Sequence, residues 1–180
     1  MKSGPGPFVC AVSALALCLV LAPAMAQAPR QQAEKELARK VPPGSVQACS
    51  LITRADVRKA TGKDPLVDPA PAAQGGWICN FGIGELKVNP GPRSWEAWEA
   101  TLKGFKKDKE PRTPAPEFGE RAYFLYPKPD NKYQGSVAFL VAQSGSHTLA
   151  LSVDAPEGKP AESMRPALES LMRTILKRLP

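Results

Sequence analysis

The chain has 180 residues with a formal net charge of +7, 20 prolines, four cysteines and a single histidine. A zinc centre takes about four Cys or His ligands and a thiol nucleophile takes a base, so one histidine leaves little room for either chemistry. No nucleic-acid-binding motif accompanies the positive balance, and no transmembrane span is expected from any later segment.

Residues 1–26 have the layout of a secretory signal peptide: Lys2 in a positive start, the apolar run FVCAVSALALCLVL at 8–21, and Ala24-Met25-Ala26 as a small-x-small cleavage site. The run is shorter than the roughly 20 residues a spanning helix needs, and Pro23 interrupts its end. Lipidated cysteines normally follow a small residue, whereas Cys18 follows Leu17. Cleavage after Ala26 is therefore the expected route, with a lipid anchor on Cys18 as the alternative. The 154 residues left after such cleavage fit one domain and keep a charge of +6 once Lys2 is removed. Export places them in the periplasm or outside the cell.

Residues 27–46 include RQQAEKELARK and end at Pro42-Pro43-Gly44. With only Ala33, Leu37 and Ala38 to bury, this stretch lacks an apolar stripe and is expected to be a mobile extension of a single domain over 47–180. Regular patterning then begins. Thr53 and Asp56 form a capping-box-like pair, Ile52 and Val57 the matching staple, and Gly62 a stop, which predicts a short helix over 53–61. KDPLVDPAPAAQGG follows as loop. Trp77, Cys79 and Phe81 alternate with Ile78 and Asn80, and Leu86 and Val88 continue the alternation after Gly82-Ile83-Gly84, predicting a hairpin with one buried face.

Ser94 is the expected cap of a second helix whose stripe is Trp95, Trp98, Leu102 and Phe105, with Glu99 and Lys103 as an i,i+4 pair. After PRTPAPEFGE come strand candidates at 121–126, 136–142 and 147–153, the last two joined by the four-residue turn 143–146. The close is an amphipathic helix: Met164, Ala167, Leu168, Leu171, Met172, Ile175 and Leu179 on one side, Arg165, Glu169, Arg173 and Lys177 on the other, with Pro166 tolerable only in the first turn. The order αββαβββα predicts an α+β domain, an antiparallel sheet of about five strands flanked by helices.

After signal removal, Cys49 and Cys79 are the remaining cysteines. An even count in an oxidising compartment favours a disulfide over free thiols or a catalytic or metal-bound pair, and no metal or other cofactor is expected. No phosphate loop, nucleophile elbow or paired carboxylates appear, so no catalytic residue is assigned. The densest cationic run holds Lys103, Lys106, Lys107, Lys109 and Arg112. Helical spacing sets the first three side by side facing solvent, a candidate contact for an anionic envelope surface. A non-catalytic binding or interaction domain follows, its partner an envelope protein or such a surface and not a nucleic acid. The alternatives are a small hydrolase, which would bring carboxylates, or Tyr123, Tyr126 and His147, together, and an inhibitor of a secreted hydrolase. Nothing in the pattern specifies an oligomeric state.

Ala48-Cys49-Ser50-Leu51-Ile52-Thr53 with Asp56-Val57 and Gly62, then Cys79-Asn80-Phe81, then Phe118-Gly119-Glu120-Arg121-Ala122-Tyr123, resembles a family of small bacterial cell-envelope domains of unknown function, many of them lipoproteins. The resemblance covers about residues 48–178 and implies a fold similar to the PsbP and Mog1 group. The chain departs from that family in lacking a lipobox and in having Glu120-Arg121 where an aspartate and a small residue are usual. No catalytic residue comes with the resemblance.

Overall fold

The computed structural model describes residues 46–180 apart from 66, 73–75, 120 and 130–134, so the signal peptide and nearly all of the N-terminal extension lie outside the described residues. Among the described residues three α-helices, α1 (Arg54–Thr61), α2 (Ser94–Gly104) and α3 (Arg165–Arg178), accompany seven strands. The strands are β1 (Ala70–Pro71), β2 (Ile78–Asn80), β3 (Gly84–Asn89), β4 (Arg112–Pro114), β5 (Tyr123–Leu125), β6 (Val137–Ser144) and β7 (His147–Asp154). They form one sheet in the order β1-β2-β3-β7-β6-β5-β4 with every pair antiparallel.

The α+β class holds, but the strand count is seven rather than five. The additional strands, β1 and β4, are the sheet's edges, two and three residues long, and each contains a proline. An edge strand pairs on one side only and tolerates a residue without an N–H, which also blunts the edge against further pairing. Such segments have no alternation to betray them. The β6–β7 turn is also tighter than expected: Ser144 pairs with His147, leaving only Gly145 and Ser146 between the strands.

α1 starts as its sequence requires. Thr53 Oγ1 accepts from the Asp56 N–H at 3.2 Å, while Asp56 Oδ2 accepts from the Thr53 N–H at 2.9 Å, a reciprocal capping box. Gly62 closes the helix at φ 70°, the left-handed position that glycine occupies without a Cβ penalty. At the start of β3, Gly84 is demanded by packing, because a Cβ there would collide with the Ser152 carbonyl oxygen and the Phe81 ring.

The sheet is covered on both faces. On one, Phe81, Leu86, Phe124, Leu140, Leu149 and Leu151 are fully buried, joined by the apolar stripe of α3 from Ala167 to Ile175 and by Val57 of α1. The charged side of α3 carries its i,i+4 pair, Arg165 Nε donating to Glu169 at 2.9 Å. On the other face, Trp98 and Leu102 of α2 pack on Tyr123, Leu125, Val141 and Ala150. Cys49, in a 3-10 turn before α1, is bonded to Cys79 of β2. The backbone reinforces that junction, since the Ala48 N–H donates to the Gly76 carbonyl at 2.9 Å.

Arg178, at the end of α3, reaches back to the start of α1. It donates to Asp56 Oδ2 at 2.6 Å, to Asp56 Oδ1 at 3.2 Å and to the Leu51 carbonyl at 3.0 Å. Burial opposes the Asp56 charge, yet the bonds from Arg178 and Thr53 outweigh it and hold this carboxyl below the usual carboxylate range. Because the folded-state pKa is lowered, the ionised Asp56 stabilises the fold above its unfolded value of about 3.9 and that contribution disappears as pH falls through the folded value. Arg178→Ala is therefore expected to cost about 1–2 kcal/mol at pH 7, discounted because the Arg178 side chain is 37% exposed. The deficit relative to wild type should shrink below about pH 4 in urea melts; a deficit independent of pH would refute the linkage.

Candidate functional site

The face covered by α2 is covered only in part, and the remainder forms an open groove of about 320 Å³. Leu125, Val137 and Phe139 come from the sheet, and Trp98, Leu102 and Phe105 from the helix side. Glu85 and Lys87 of β3 line it too, as do Lys107, Pro127 and Lys128.

A network of aromatic and ionic groups fixes the helical wall. Trp98 Nε1 donates to the Tyr123 hydroxyl at 2.8 Å, and the ring of Trp95 meets that of Tyr123 edge-on at 5.7 Å. Arg112 donates twice to the Glu99 carboxylate, at 2.9 and 2.7 Å, and its guanidinium lies 4.6 Å from the Tyr123 ring centroid. Burial drives the Tyr123 phenol up to about 12, so it stays a neutral donor and acceptor. The bond to Glu99 raises Arg112 above its ordinary value. Arg112 is thus a structural clamp between α2 and β4 rather than a cation held out for a partner, and Glu99 faces it instead of Lys103.

The end of α2 departs from the helical expectation. The helix stops at Gly104, Phe105 is its C-cap, and Lys106 takes φ 57°, so Lys103, Lys106 and Lys107 are not neighbours on one helical face. The Lys106 N–H donates to the Lys103 carbonyl at 3.0 Å and the Lys107 N–H to the Leu102 carbonyl at 2.8 Å. These are the paired bonds of a Schellman closure, which usually places glycine where Lys106 stands. The turn throws Phe105 outward: it is 72% exposed rather than part of the buried stripe. Lys107 Nζ donates to the Lys128 carbonyl at 3.0 Å, drawing the turn to the opposite wall of the groove. Lys103, Lys106 and Lys109 stand exposed around Phe105.

Ser94 is likewise not a cap. It is the first helical residue, 2% exposed, donating to the Ser146 carbonyl at 3.2 Å and accepting from Thr148 at 2.9 Å, which pins α2 to the β6–β7 turn. The residues whose convergence would mark a catalytic site do not meet. Tyr123 lies under α2, whereas Tyr126 stacks on Phe124 of the opposite core, and His147 begins β7 three ladder positions beyond the level of Tyr123, at the end away from Tyr126. Among the described residues no three His, Cys, Asp or Glu side chains gather as a metal site, and no helix is long and apolar enough to cross a membrane. The groove escaped detection in the sequence because its walls come from β3, α2, β5 and β6; the one local signal was Gly104, which interrupts the aromatic stripe just before Phe105. Family models, curated proteins and solved structures return no match to this chain.

Proposed function

We propose that the chain is an exported, non-catalytic binding domain that works at an anionic envelope surface, with the turn after α2 as its contact. The observation that carries this reading is Phe105, 72% exposed at the turn that closes α2, with Lys103, Lys106 and Lys109 exposed on either side of it in sequence. An aromatic tip among lysines suits the boundary between phosphate headgroups and acyl chains, where the ring leaves water and the ammonium groups stay beside anions. The Cys49–Cys79 bridge suits an oxidising compartment. Kinship with small cell-envelope domains belongs to the same reading, supported by the cysteine pair that joins a capped helix to a strand.

Cosedimentation with vesicles of phosphatidylglycerol and phosphatidylcholine tests it. Each lysine near an anionic surface contributes about 1 kcal/mol, so Lys103→Glu/Lys106→Glu/Lys109→Glu should lose roughly a hundredfold in partitioning at low salt. Wild-type binding should be strong at about 0.01 M salt, where screening extends over roughly 30 Å, and collapse near 1 M, where it extends over about 3 Å. Equal partitioning of wild type and variant would refute the surface assignment.

A further inference from the structure

The groove beside the turn has a lining that, Phe105 apart, the surface contact does not use. Its floor is Val137 and Phe139, half-buried in front of the already buried Leu125, Trp98 and Leu102, and Phe105 stands uncovered at its mouth. Among the described residues three lysines, Lys87, Lys107 and Lys128, line it against one acid, Glu85, and Lys107 is already engaged. Lys87 is half-buried on β3, and its ammonium makes no hydrogen bond or ion pair among the described residues.

From these features we infer that the groove binds a single-chain anionic amphiphile, its acyl chain lying along Val137 and Phe139 under Phe105 and its carboxylate held by Lys87. An apolar trough would accept an aliphatic chain of any head group; the charge balance of the lining selects the anionic one. An ammonium at the border of a low-dielectric trough forms a charge-assisted hydrogen bond to a carboxylate, stronger than its contact with a neutral head. At about 320 Å³ the groove lies at the small end of the roughly 300–1,000 Å³ range of ligand sites, which fits one chain rather than two. Covering Phe105 and the floor removes apolar surface from water, so affinity should rise with chain length. The inference shares Phe105 with the surface contact but none of its lysines, since its cation is Lys87 rather than Lys103, Lys106 or Lys109.

The test uses the mature chain with its disulfide intact and free amphiphiles below their micellar concentrations. Laurate, octanoate and dodecyltrimethylammonium are titrated by calorimetry, with tryptophan emission as a second readout. Laurate should bind saturably at one site, roughly tenfold or more tighter than octanoate and roughly tenfold or more tighter than dodecyltrimethylammonium. Lys87→Glu should weaken laurate by about tenfold and Phe105→Ser by about threefold, both with unchanged melting temperature, as these side chains are not in the core. The triple Lys103, Lys106, Lys109 variant should keep its laurate affinity. Absence of saturable laurate binding, equal affinity for the cationic amphiphile, or wild-type laurate affinity in Lys87→Glu overturns the inference. Vesicle binding without laurate binding overturns it while leaving the surface contact standing.

Discussion

Replacing Cys49 and Cys79 together by alanine is expected to lower the unfolding free energy by about 3–4 kcal/mol, the chain-entropy value for closing a loop of 30 residues. The bridge joins Cys79, which is fully buried in a three-residue strand, to the turn that leads into α1. Besides the Ala48–Gly76 backbone bond, the neighbouring strands are short: β1 and β2 bring only two and three residues to the sheet. Set against the 5–15 kcal/mol that typically separates folded from unfolded states, the loss is a large fraction. Urea unfolding of oxidised wild type and Cys49→Ala/Cys79→Ala measures it. The variant should also show a larger dependence on denaturant, because its unfolded chain is no longer cross-linked. Faster amide exchange at Ile78 and Asn80 than in the β6–β7 hairpin would place the loosening where the bridge sits. A loss below about 1 kcal/mol would show that the bridge adds little to contacts already made.

The parts of this fold legible in the sequence obey local rules. The capping box of Thr53 and Asp56, the stop at Gly62, the Trp77–Phe81 alternation and the α3 stripe each depend on residues a few positions apart, and the local hydrogen bond or packing decides the outcome. The pairing of Cys49 with Cys79 followed from parity and compartment. What could not be read depends on partners distant in the chain. β1 and β4 exist because β2 and β5 offer them an edge, not because Ala70–Pro71 or Arg112–Pro114 favour strands. Arg112 looked like one more cation in a basic run until Glu99 and Tyr123, 13 residues before and 11 after in sequence, closed around it. Phe105 continued an aromatic period of three and four residues, and only the glycine before it and the left-handed Lys106 after it turn the ring outward.

β5 shows the same limit at the level of the whole fold. Tyr123, Phe124 and Leu125 are all buried, the first and third under α2 and the second under α3. A strand covered on both sides loses the alternation that assigns a face, so the existence of two cores emerges only once both helices are in place. The two layers do different work. The α3 layer is a closed core, whereas the α2 layer is a partial cover that leaves a groove and a projecting ring.

Phe124→Ala should therefore be the most damaging single change in the closed core, at about 3–5 kcal/mol. Phe124 is fully buried, edge-on to Phe118 with centroids 6.5 Å apart, and stacked on Tyr126 at 6.2 Å. The Arg165 guanidinium lies 4.5 Å from its centroid and seals the outer side. Truncation leaves a cavity that the sheet cannot close, because the backbone of β5 is paired with β4 and β6 on its two sides. It also removes the cation–π and ring contacts, each contributing about 0.5–1 kcal/mol. Phe124→Leu separates these effects: it keeps most of the apolar volume, loses the ring, and should cost about 1–1.5 kcal/mol while remaining folded. Tyr126 supplies an independent readout. Burial holds its phenol above the ordinary value of 10.0, so opening a cavity beside it should bring its titration back toward that value in the alanine variant more than in the leucine one. If Phe124→Ala proves no more destabilising than Phe124→Leu in urea melts, the ring contacts rather than the filled volume hold this face together, and the core is not centred on Phe124.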